Sequence, residues 1–174
     1  MTEAITQGVR VRAAPVFCPE MCSIPSGVPW AADPAPPYFW VYSIAMDLVG
    51  GGSGVAECQL AARHWEIVDG EGRVEEVDGE AVVGQFPHLV AGGGEGRSDG
   101  EGRAAGAAGA AAAERRPFSY RSCTTADSVP GRMGGHFTFV KGTLQRPQLD
   151  ANGEADYFDA KVQDFELVQP EFIF

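Results

Sequence analysis

Lysine is nearly missing from this 174-residue chain: of 13 basic residues only Lys141 and Lys161 are lysines, and 24 acids give a formal net charge of −11. A field of that sign repels phosphate backbones, which argues against nucleic acid and favours a protein partner with a basic surface. Long apolar runs are also missing, and none approaches the roughly 20 residues a membrane-spanning helix needs, so no membrane association is expected. The start, MTEAITQGVRVR, has an acid at position 3 and no apolar core, unlike a secretory signal. An intracellular, cytoplasmic chain is expected, with organelle targeting left open by Arg10 and Arg12. The four cysteines (Cys18, Cys22, Cys58, Cys123) then read as reduced, small apolar thiols. Cys18 and Cys22 have a zinc-like spacing, but no second pair follows, so no metal site is expected.

Helical periodicity is the next absence. What replaces it is a period of two: in Tyr38–Leu48 every even position is large and apolar (Tyr38, Trp40, Tyr42, Ile44, Met46, Leu48), the mark of a strand with one buried face. Further strands are expected at Val9–Phe17, Leu60–Val68, Ala81–Phe86, Phe118–Ser122, Gly135–Lys141 and Phe158–Leu167. Asp69-Gly70-Glu71-Gly72 lies between two β-prone runs and reads as a hairpin turn. Seven or eight short antiparallel strands with no helices indicate an all-β sandwich of the fibronectin type III or immunoglobulin-like kind. The immunoglobulin spacing of Cys, Trp and Cys is missing, which favours the former.

Two stretches depart from this pattern. Gly92–Arg116 is Gly or Ala at 16 of 25 positions, balances four acids with four arginines and has nothing to bury, so it reads as a disordered, low-complexity insertion in a single domain covering residues 1–174, with a core at about 8–170. Pro25–Pro37, with five prolines, reads as an extended loop.

The order of the segments YFWVYSIAMDL, CQLAARHWEIVDGEGRVEEVDGEAVVGQFPHL, PFSYRSCTTADSVPGRMGGHFTF and FDAKVQDFELVQP closely resembles the ApaG family over roughly Gly8 to Pro170. The resemblance implies a fibronectin-like sandwich without enzymatic activity, working as a protein-interaction module. Such domains occur alone in bacteria and within F-box and DNA polymerase delta-interacting proteins. With no F-box-like helical segment here, the likeness is to a standalone member. The bacterial members' association with cobalt resistance and magnesium efflux implies the alternative: a module for pyrophosphate or nucleotides with divalent cations.

For that alternative the candidate residues are Gly79, Glu80 and Gly84, in the family's glycine signature. Here Ala81 stands at its middle position, no helix is expected to follow, and neighbouring acids repel phosphate, so a turn is the preferred reading. Asp69, Glu71, Asp78 and Glu80 read as a solvated acidic rim rather than a cation site. For partner binding the candidates are Arg63, Trp30 and Arg132, since exposed aromatic and Arg groups anchor interfaces. Arg63 is also expected to pair with Glu75 or Glu76 on the return strand of the hairpin, with His64 on the opposite face from Arg63 and Trp65. Arg132 falls in the glycine-rich turn Val129–Gly135. No elbow motif or paired His/Asp order accompanies any Ser or Thr, so no catalytic residue and no cofactor are expected.

Overall fold

A computed structural model describes residues 1–22, 38–49, 54–91 and 116–171. The whole Pro25–Pro37 stretch, Trp30 included, and the Gly92–Arg116 segment up to residue 115 lie outside them. The described residues form nine strands: β1 (Thr2–Thr6), β2 (Val9–Phe17), β3 (Tyr38–Leu48), β4 (Glu57–Val68), β5 (Val74–Glu80), β6 (His88–Val90), β7 (Phe118–Ala126), β8 (Gly131–Lys141) and β9 (Tyr157–Leu167). A single 3-10 turn, Pro19–Met21, follows β2.

The strands make two antiparallel sheets, ordered β1-β2-β3-β7 and β5-β4-β8-β9, with β6 beside the start of β4. They form a β-sandwich. Its core is the inner row of each strand: Val9, Val11 and Ala13 of β2, Trp40 to Leu48 of β3, Phe137 and Phe139 of β8, and Phe165 of β9. Trp65 stands edge-on to Phe137 at 5.4 Å and to Tyr42 at 5.6 Å, tying the second sheet to the first with the offset geometry aromatic rings prefer.

β2 and β3 occupy their expected spans, β3 because its alternation is uninterrupted. Three expectations need correction. Ala81–Phe86 is not a strand: Val82 and Gln85 exchange backbone hydrogen bonds across Val83 and Gly84, and Ala81, Val83 and Gly84 all have positive φ, so this is a tight turn of the mirror-image type. Gly131–Gly134 is strand rather than turn, since β8 begins at Gly131. The described residues hold nine strands against the seven or eight expected, because five-residue β1 and three-residue β6 are too short to show a period.

Two bulges decide which side chains face out. In β4 the pairing with β8 passes from Leu60↔Phe139 to Ala62↔Thr138, leaving Ala61 as an extra residue. Beyond it, odd positions (Arg63, Trp65, Ile67) face the core and even ones (His64, Glu66) face out. In β9 the register shifts between Met133 and Gly135, placing Gln163 and Asp164 opposite Gly134. Such insertions bend a strand and re-aim its side chains.

Candidate functional site

The outer face of the second sheet gathers most of the exposed charge. Cross-strand pairing sets Asp78, His64, His136 and Lys161 in one row across β5, β4, β8 and β9. The imidazoles of His64 and His136 stack with centroids 5.0 Å apart. His64 Nδ1 lies 2.8 Å from Asp78, and His136 Nε2 lies 3.7 Å from Asp159. Asp159 also accepts a hydrogen bond from Thr138.

The flanking rows add Glu80 on one side, and Glu76, Glu66 and Asp164 on the other, with Arg132 and Glu166 beyond. Arg132 reaches Asp164 at 2.9 Å and Glu66 at 3.0 Å. Gly134 and Gly135 leave a shallow groove between the two histidines and this ion-pair triad. A side chain at Gly134 would run into Asp164, and one at Gly135, whose φ is 143°, into the His64 carbonyl oxygen. Gly135 therefore requires glycine, while a side chain at Gly134 would have to displace the Asp164 carboxylate.

The sequence candidates separate accordingly. Glu80 and Arg132 belong to this outer face, but Arg132 is held by two carboxylates rather than free to anchor a partner. Arg63 lies beneath the sheet and pairs with neither Glu75 nor Glu76, because both bonds of its Nη1 go to backbone carbonyls, Glu80 at 3.0 Å and Ala81 at 2.6 Å. Its guanidinium rests where Gly79 has no side chain: a Cβ there would stand 3.0 Å from it. Gly79 is thus a packing glycine, and Gly84 sits in the tight turn. The next element after that turn is strand β6, so no helix N-terminus is offered to a phosphate. Trp30 is outside the described residues.

The acids expected as a rim divide as well. Asp69 is half-buried in the hairpin turn, where it accepts from the Glu71 and Arg73 amides and the Arg73 guanidinium. Desolvation pushes its pKa up, but these hydrogen bonds outweigh it and hold the carboxyl below the usual range. No group of three His, Cys, Asp or Glu side chains among the described residues is arranged to hold a metal. Of the thiols, Cys58 is buried and pushed up to about 12 by desolvation. Cys123 departs from the expected burial, being exposed on the outer face of the first sheet.

The stacked histidine pair is what sequence reasoning missed. His64 and His136 meet only through the β4/β8 register, and no local motif marks them.

The comparisons with known proteins agree with this fold. The family model described as the ApaG domain matches residues 31–95. The Protein ApaG of Methylocella silvestris is 31% identical across 98% of this chain and 95% of its own length. F-box protein SKIP16 of Arabidopsis thaliana is 33% identical over 98% of this chain, and human F-box only protein 3 is 30% identical over 78% of it. The chain spans only 32% and 22% of those two relatives. A crystal structure of an ApaA protein from Bordetella pertussis superposes with a TM-score of 0.59 at 24% identity, covering 94% of this chain and 95% of that one. No helix among the described residues is long and apolar enough to cross a membrane. With near-complete overlap on the Methylocella Protein ApaG and the same sandwich, the chain belongs to the ApaG domain family.

Proposed function

We propose that this chain is a non-enzymatic protein-interaction module whose acidic outer sheet face, formed by β5, β4, β8 and β9, docks a partner with a basic surface. The observation that carries this reading is the charge of that face: seven carboxylates stand in its rows against Arg132 and Lys161. Arg132 is already neutralised by Glu66 and Asp164, so Glu76, Asp78 and Glu80 along the β5 margin face solvent without an Arg or Lys partner among the described residues. Neighbours in this series stand about 7 Å apart along the strand, within a Debye length, so their fields add and steer a cationic surface. Relatives in which such a domain makes up a third or less of an F-box protein support a role within protein assemblies.

The test is calorimetric titration with a synthetic Lys/Arg-rich peptide, comparing Glu76→Lys/Asp78→Lys with a control of equal net charge, Glu154→Lys/Glu171→Lys. The reading expects the first pair to weaken binding about tenfold or more and the control to weaken it much less, with affinity falling as salt rises. Equal losses in both would reduce the attraction to net charge alone and refute a specific face.

A further inference from the structure

Beneath the acidic face, the sandwich interior holds a donor-rich corner that none of the structure's own acceptors completes. The Ala61 bulge turns Arg63 inward, where it is half-buried and makes no carboxylate ion pair among the described residues. Nη1 serves two backbone carbonyls, and no partner among the described residues takes the Nη2 and Nε side of the fork. Two further donors on inner faces of the sandwich are orphaned among the described residues: the Tyr120 hydroxyl and the Trp65 indole Nε1 are buried without a hydrogen-bond partner, on side chains only 8% and 2% exposed. Tyr42 links the two. Its ring packs against Trp65 at 5.6 Å, and it stands diagonally across the β3/β7 pair from Tyr120, both buried on the inner face.

An orphaned buried donor costs about 1–3 kcal/mol, so two beside an incompletely used guanidinium are costly to keep empty. An indole and a guanidinium donate only, and a phenol can donate as well, so the missing group is an acceptor. A guanidinium fork matches two coplanar oxygens on one carbon. The Glu80 carboxylate, on the residue after Gly79, disfavours a multiply charged phosphate.

We propose that Arg63, with the Tyr120 hydroxyl and the Trp65 indole behind it, binds a carboxylate at the open side of the sandwich between β5 and β7. The carboxylate can come from a small organic acid or from a polypeptide's free C-terminus. The binding is read on the chain alone, so its failure leaves the acidic-face proposal standing.

The experiment follows the Trp65 indole N–H and the Arg63 Nε–H by proton–nitrogen correlation spectroscopy. Sodium acetate is titrated at constant ionic strength against sodium chloride, and in a second arm a capped tripeptide acid is titrated against its amide. Saturable shifts with acetate but not chloride are expected. A peptide acid that binds where its amide does not assigns the polypeptide source, while acetate alone assigns a small acid. Arg63→Lys and Tyr120→Phe should each weaken binding about tenfold, the loss of one charge-assisted hydrogen bond. Tyr120→Phe removes only an unpartnered hydroxyl and is expected to fold, so it decides the matter if Arg63→Lys does not. Shifts identical in acetate and chloride, or a Tyr120→Phe protein that binds acetate like the wild type, would overturn the proposal.

Discussion

Deleting Ala61 should cost the protein at least about 3 kcal/mol of stability, although the side chain removed is a single methyl group. Ala61 is the one residue of β4 that lets Leu60 and Arg63 both face inward. Without it the strand is a plain two-residue repeat, and one half must turn over. If the C-terminal half turns, buried Trp65 and Ile67 go to solvent and Glu66 enters the core. If the N-terminal half turns, buried Cys58 and Leu60 leave, and the Cys58↔Leu89 pairing with β6 is lost. At about 1.5–3 kcal/mol for each large apolar side chain, the second route is cheaper and sets the lower bound once the lost thiol is added. With a urea slope of about 2 kcal/mol per molar, the unfolding midpoint should fall by about 1.5 M. For a domain of this size the melting temperature should fall by about 6–12 °C. Tryptophan fluorescence and far-ultraviolet circular dichroism would report the transition, with Ala61→Ser as the control that keeps the residue count. A deletion variant that unfolds at the wild-type midpoint would show that the bulge does not set the two faces.

Three further outcomes follow from the same geometry. Gly135→Ala should destabilise by about 1–3 kcal/mol from backbone strain alone, and further because its Cβ meets the His64 carbonyl; Gly79→Ala should cost less, since it meets only the movable end of Arg63, and urea titration of both would expose a reversed order. Asp69 and Asp150 are held below the usual carboxylate range, Asp69 by its hydrogen bonds against desolvation and Asp150 first by the Glu154 and Asn152 amides; their contribution is therefore complete above the unfolded carboxylate pKa and lost as pH falls through the folded values. Unfolding measured at pH 5 and pH 3 should show a smaller acid loss in Asp69→Asn than in the wild type, and an unchanged loss would contradict the assignment. With a thiol-specific chromogenic reagent at pH 8, exposed Cys123 should react promptly and Cys58, buried with its pKa pushed up to about 12, only on unfolding; Cys123→Ser should remove a fast phase, and Cys58→Ser should not.

The strands were legible where alternation ran unbroken. Tyr38–Leu48 is correct to the residue because six consecutive even positions are large and apolar, and one buried face is the only arrangement that accommodates them. At β4 the expected strand, Leu60–Val68, starts three residues late against Glu57–Val68 and gives no sign of the irregularity within it, because Ala61-Ala62 carries no polarity and a bulge between two alanines leaves no trace in a hydrophobic pattern. In Ala81–Phe86 the apolar residues suggest a strand, yet Val83 takes a positive φ that β-branched residues avoid. Gly84 and the Val82–Gln85 hydrogen bonds impose the turn against that preference.

The site was less legible than the fold because each of its members depends on a partner distant in sequence. Arg63 read as a surface anchor because arginine opposite acids on a hairpin pairs with them on an ordinary strand. One inserted residue upstream turns it under the sheet, onto Gly79 and toward Tyr120, 57 positions away. The same insertion turns His64 outward onto His136. A net charge of −11 was visible in the composition, but not its segregation. The outer face of the first sheet pairs Arg10 with Asp47 and carries Ala14, Ser43, Ala45 and Ser119 between strands, whereas the second sheet presents carboxylates in four successive rows, those of Thr138, His136, Gly134 and Arg132. The acidity therefore has a direction: the cationic partner proposed above would meet the second sheet and not the first, while the inward Arg63 would offer its donors to a ligand of opposite sign.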